Sequence, residues 1–230
     1  MPTVSGSTLL RELANNPPAG LSSVRLRLRA AALALAATED LVDAGYCHHI
    51  VLLDRPAAAT LHAGGEVLHA PRLLPESGEL TGVGCGVCTV GPRIEARVSS
   101  LFKEKRASLA LAMDEIANEM LFALGRRVQD RMLSECMRRG LAMAGELHAG
   151  DPGLDITAQA AVLRLAGADR IGVRVHGGHL LTPLKSGSVV FGVGRDLPAV
   201  SWSRCDNCPS AGKCTLGRRP RAPAAVAALV

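Results

Sequence analysis

Aromatic side chains are scarce in this chain, with three Phe, one Tyr and one Trp among 230 residues. That scarcity excludes a stacking platform for unpaired bases, the surface that single-stranded nucleic acid requires. Long apolar runs are missing too: no segment approaches the ~20 residues of a membrane-spanning helix. The opening stretch MPTVSGSTLLREL lacks an apolar secretory core, so the expected setting is the cytoplasm. The seven cysteines are odd in number and follow no disulfide framework. In a reducing compartment, clustered thiols serve metal or redox chemistry more often than disulfides. The formal net charge is +5, but Arg218, Arg219 and Arg221 lie in the tail GRRPRAPAAVAALV, which leaves the remainder nearly balanced. Neither a nucleic-acid nor a membrane partner is expected.

What is present is a core-forming chain. Apolar residues make up 48%, enough for one compact unit without staples. Helical periodicity predicts elements over 7–16, 21–44, 92–103, about 107–139 and 156–167. In the long one Leu109, Met113, Ile116, Met120 and Leu124 form a stripe that Val128, Met132 and Cys136 continue. Gly125 marks a candidate bend, and Arg138-Arg139-Gly140 reads as a stop. HHIVLLD (48–54) reads as a buried strand, ATLHAGGEVLHA (59–70) as a hairpin turning at Gly64-Gly65, and ELTGVGCGVCTVG (79–91) as a strand leading to Pro92. GELHAGDPGLD reads as a loop. The last third, DRIGVRV, HLLTP and SGSVVFGVG, reads as an antiparallel meander. Strands at both ends with helices between them predict an α+β fold.

The candidate chemistry centres on RCDNCPSAGKC. Cys205, Cys208 and Cys214 give three soft ligands in ten residues, suited to zinc or an iron–sulfur centre. Trp202 reads as packing over that loop. Arg204 and Lys213 beside the thiols favour their ionisation. A fourth ligand has three candidates, with Cys88 and Cys85 of GCGVC ahead of Cys47. The GCGVC pair has two further readings: a redox dithiol, its thiolate favoured by the helix N-terminus that follows, or two small buried residues. Cys136 belongs to the helix stripe and is expected in the core. His48, His49, His62 and His69 read as surface or satisfied side chains. Gly82, Gly84 and Gly86 alternate without the dinucleotide fingerprint, so a Rossmann site is excluded. Lys185, with Ser186 and Ser188, reads as a polar turn; a Ser–Lys dyad would need a buried neutral lysine.

Three stretches taken in order carry a resemblance: TVGPRIEARVSSLFKE (89–104), LAMDEIANEM (111–120) and DRIGVRVHGGHLLTPLKSGSVVFGVG (169–194). Together they resemble the activation domain of vitamin B12-dependent methionine synthase, and more closely its short stand-alone relatives that end in a cysteine cluster. The similarity spans about 79 to 218. It implies an α+β domain with a curved antiparallel sheet and flanking helices over 46–200. A helical segment is expected before it (1–45), a Cys-rich loop over 201–219 and a disordered tail over 220–230. It also implies docking on a corrinoid protein or B12-dependent methyltransferase subunit whose Co(II) is reduced. No Asp-x-His-x-x-Gly motif is present, so the corrinoid is expected on the partner.

The resemblance further implies S-adenosylmethionine binding, and the family segment usually reads Arg-x-Ser/Ala-Pro-Gly-Tyr. The corresponding residues here are Glu146, Gly150 and Asp151, with Lys185 and Ser186 in the turn near the last strand. Glu146 stands where the arginine would, and a carboxylate there repels the ligand's own. Three functional readings result. The chain is an iron–sulfur protein, with a [4Fe–4S] centre supporting reductive activation of a partner corrinoid. Alternatively it is a docking module with structural zinc, or an S-adenosylmethionine-binding activation domain.

Overall fold

A computed structural model describes residues 4–198. In chain order its elements are α1 (Gly6–Asn15), α2 (Ser23–Thr38), β1 (Gly45–Leu52), β2 (Thr60–Ala63), β3 (Glu66–His69), β4 (Glu79–Thr89), α3 (Arg93–Lys103), α4 (Ala107–Arg138), β5 (Ala142–Leu147), α5 (Gln159–Ala166), β6 (Arg174–His176), β7 (Leu180–Thr182) and β8 (Ser186–Arg195). Cys205, Cys208, Cys214 and Trp202 lie outside the described residues, as does everything expected of 201–230.

The centre is a four-stranded antiparallel sheet in the order β1-β4-β8-β5. Helices α1 to α4 cover one face and α5 with the β2–β3 hairpin covers the other. This is the α+β architecture the sequence predicts. Bulges between Leu80 and Gly82 and between Ala144 and Leu147 break the register of the ladders and bend the sheet.

Every residue of the long helix stripe, from Leu109 to Cys136, is buried. The helix runs unbroken through Gly125 for 32 residues, about 48 Å. It ends where Arg138-Arg139-Gly140 predicts, Gly140 taking a φ of 66°. The N-terminal helices join the same core: Leu9, Leu13, Ala32, Leu33 and Ala36 cluster with Met113, Ile116 and Met120. Arg29, only 6% exposed, fastens them by donating to the Leu13 carbonyl at 2.9 Å and pairing with Glu119 of α4.

Three readings are corrected. The last third is no single meander: β6 and β7 form a separate two-stranded ribbon, and only β8 enters the main sheet. A 3-10 turn over Ala168–Ile171, closed by Val173 N–H on the Ala168 carbonyl, takes up the residues expected to begin that meander. Second, Ala142–Leu147, partly read as loop, is an edge strand. Its alternation was hidden by Gly145, whose φ of 72° makes the bulge. In addition β1 is an edge strand, half-buried along most of its length rather than enclosed.

The alternating glycines have a packing cause. Gly84 and Gly86 face α4, and a methyl group on Gly86 would sit 2.3 Å from Val128 Cγ1. Gly82 instead lies against the backbone of β1, 2.7 Å from the Val51 carbonyl oxygen by the same construction. Replacing Gly86 by alanine is therefore expected to cost ~1–3 kcal/mol through overpacking. In Gly86→Ala/Val128→Ala the second change removes the clashing methyls, so its added cost should fall well short of that of Val128→Ala alone. Urea titration of the four proteins measures this coupling.

Candidate functional site

The motifs that carry the resemblance meet at one corner of the sheet. The turn after β4 places Thr89, Val90 and Gly91 against the turn before β8. Val90 N–H donates to the Lys185 carbonyl at 3.0 Å, and the Thr89 hydroxyl reaches the same oxygen at 3.3 Å. Ser186 Oγ lies 2.8 Å from Thr89 Oγ1, which also accepts Gly91 N–H at 3.1 Å. Gly91 has a φ of 84°, and a side chain there would strike Asp43; only glycine suits this turn.

Lys185 points away from Ser186. Its Nζ lies 2.7 Å from Asp114 Oδ1 and 2.8 Å from Asn118 Oδ1, both on α4. Asn118 Nδ2 in turn donates to Asp114 at 3.2 Å, and Glu95 of α3 accepts the Leu184 N–H at 2.7 Å. The lysine thus joins the turn to α4, and no Ser–Lys dyad forms.

The second cluster occupies the α5 side of β8. Ser188, two positions from Ser186 and so on the same face, is buried, and its hydroxyl accepts from Gln159 of α5 at 2.8 Å. Its carbonyl lies 2.6 Å from His148 Nδ1. A carbonyl only accepts, so Nδ1 carries the proton. His148 Nε2 lies 3.2 Å from Glu146 Oε1. The loop beyond is closed on itself: His148 N–H donates to Asp151 Oδ2 at 2.8 Å, Asp151 N–H to the His148 carbonyl, and Gly150 N–H to the Leu154 carbonyl, each at 2.9 Å. Asp155 caps the next turn through Thr157, whose N–H and hydroxyl hold its carboxyl below the usual range.

Of the residues expected to contact S-adenosylmethionine, Glu146 lies near the end of β5 and Gly150 and Asp151 in the loop that follows, Ser186 lies on the adjoining strand, and Lys185 is turned toward α4. Glu146 brings a carboxylate where the resemblance requires a cation. The backbone N–H groups of His148, Gly150 and Asp151 are engaged within the loop. This donor set does not fit the ligand's carboxylate. His148, Gln159 and Ser188 were not singled out in this role from sequence; the Glu146-x-His148 spacing, which puts both side chains on one strand face, is the signal that could have found the histidine.

The pleat separates the two cysteines of GCGVC. Cys85 packs with Val83, Val87 and Val190 on the α5 side, and Cys88 lies with Val189 and Phe191 under α4. They form no dithiol. Nor does Cys88 sit at a helix N-terminus, since α3 begins at Arg93. Burial pushes both thiols up to about 12, and Cys47, half-buried, up to about 11, against a lowering by Arg170. This agrees with the alternative that Cys85 and Cys88 are small core residues. Cys136 is buried too, as expected. Among the described residues no three His, Cys, Asp or Glu side chains gather to hold a metal. His48 pairs with Glu135 at 3.1 Å and His49 Nδ1 lies 3.2 Å from the Leu165 carbonyl, as satisfied side chains.

No family model matches the chain, and no curated protein is found as a relative. A solved structure of the MetH reactivation domain bound to AdoHcy matches it with a TM-score of 0.60 and 14% identity, over 85% of this chain and 75% of that one. The chain has the fold of that domain, as the resemblance implies. No described helix is long and apolar enough to cross a membrane.

Cys85 and Cys88 are expected to resist alkylation at pH 8 in the native chain and to react once it is unfolded, as read by peptide mass spectrometry. Their raised values also set a pH dependence. An unfolded thiol ionises near pH 9 and these do not, so the contribution is complete below about pH 9 and is lost as pH rises toward 12. Chemical denaturation midpoints should fall above pH 9, and by less in Cys85→Ala/Cys88→Ala than in the parent.

Proposed function

We propose that this chain is an activation module for a corrinoid carried by a partner protein or B12-dependent methyltransferase subunit, working in the cytoplasm. The observation that carries this reading is the fold, shared over 85% of the chain with the MetH reactivation domain. In this reading Cys205, Cys208 and Cys214 hold a [4Fe–4S] centre. Those three residues would hold the cluster, which would supply the low-potential electron that the partner's Co(II) needs.

The burial of Cys85 and Cys88 on opposite faces supports a three-cysteine centre whose fourth position is met from elsewhere. Cys47 and an exogenous ligand are the two candidates for it. A closed four-thiolate zinc site gains nothing from that arrangement. S-adenosylmethionine binding is the second reading. It is favoured by the AdoHcy held in the similar structure and opposed by Glu146 and the self-closed loop over 146–155.

Anaerobically prepared protein is expected to hold about four iron and four sulfide per chain and to give an EPR signal on reduction. Cys205→Ser, Cys208→Ser and Cys214→Ser should each lower the iron content. Stoichiometric zinc without a redox signal would establish the docking-module reading instead. Calorimetry with S-adenosylmethionine is expected to show no heat beyond dilution, and measurable binding would overturn that expectation while leaving the cluster assignment intact.

A further inference from the structure

On the helical face a groove of about 440 Å³ opens between the start of α1 and the middle of α4. Its volume falls within the roughly 300–1,000 Å³ of small-molecule sites. Tyr46, the chain's single tyrosine, forms part of its wall from the first turn of β1. The residue is 3% exposed, yet its hydroxyl has no hydrogen-bond partner among the described residues. A buried, unpaired hydroxyl costs ~1–3 kcal/mol, so native structures rarely leave one without a ligand or water.

The rest of the lining tells what would satisfy it. Ser5, the residue preceding α1, does not cap the helix: its hydroxyl turns to Ser7 at 2.6 Å. The first turn holds no acidic residue, so no side chain of that turn offsets the positive end of the helix. Arg127 and Arg131 of α4 line it as well. Arg127 is held in place by both carboxylate oxygens of Glu12, while Arg131 forms no ion pair among the described residues. Asp130 is the one acidic side chain of the lining, and with Arg127 paired to Glu12 the Arg131 guanidinium is the cation left for a ligand.

We propose that this groove binds a small molecule through an oxyanion, a phosphate or a carboxylate. The Arg131 guanidinium and the Tyr46 hydroxyl donate to it, and Thr8 adds a further hydroxyl. This site does not depend on the corrinoid reading, and no residue is shared between the two.

The test is NMR titration of the full chain with inorganic phosphate and, separately, with succinate, followed at the amides of residues 5–8 and of Arg131. Saturable shifts with at least one anion are expected, and the tighter of the two identifies the ligand class. Tyr46→Phe and Arg131→Gln should each weaken binding ~10-fold, as loss of a hydrogen bond to a charged group does. Tyr46→Phe separates a ligand role from a structural one, because removing an unpaired hydroxyl leaves the unliganded chain as stable as the parent or more so. Three results would overturn the proposal: no shifts with either anion up to about 50 mM, unchanged affinity in Tyr46→Phe, or a marked fall in that variant's stability without anion.

Discussion

The approach of α4 to the bare face of β4 is the constraint on which the rest of this structure depends. Gly84 and Gly86 remove side chains from one side of a central strand, and Val128 and Met132 fill the space. Close-packed interiors tolerate little change in such a seam. Because α4 lies so near, its polar residues Asp114 and Asn118 come within reach of Lys185, and its mid-section reaches Glu12 and Arg29 of the N-terminal helices. A helix held farther off would break all of these at once. The glycines that superficially suggest a dinucleotide-binding turn instead set the distance between two layers.

The two faces of the sheet carry different duties. On the α4 side the chain invests in packing and in cross-helix ion pairs, with Cys88 and Cys136 serving as small apolar residues. On the α5 side the start of β8 turns Ser186 and the buried Ser188 toward the loop after β5. There the Glu146–His148 pair and the loop's own hydrogen bonds occupy the donors that an anionic ligand would seek. The corner where Thr89, Lys185 and Asp114 converge is a structural knot joining β4, β8 and α4, which gives the order of the resembling motifs a physical meaning: they are one contact seen as three stretches of sequence.

Helices were the most legible elements because α4's stripe is long and its ends carry strong signals; Gly125 did not bend it, since a glycine within a well-packed helix has no need to. Strands were read where alternation or a glycine pair marked them, as around Gly64-Gly65. Ala142–Leu147 was partly missed because a bulge residue interrupts its period. The cysteine pair was misleading for a related reason: in a strand, residues three apart point to opposite faces, so a C-x2-C spacing that suits a loop or helix end places Cys85 and Cys88 in different cores. Tyr46 gave no signal in sequence at all. Its significance arises only when α1 and α4, far apart in the chain, close a groove over it.

The bulge at Gly145 has a consequence for the molecule among its neighbours. β5 is one edge of the main sheet, and an edge strand with a regular row of open backbone groups invites pairing with another chain. Here the ladder to β8 holds at Ala142, Met143 and Ala144, lapses, and resumes at Leu147. The outward side of the strand is correspondingly kinked, and His148 and Asp151 close the loop immediately beyond it. Such an edge offers an approaching strand no continuous register to match, so the same glycine that shapes the loop makes this edge of the sheet a poor template for pairing.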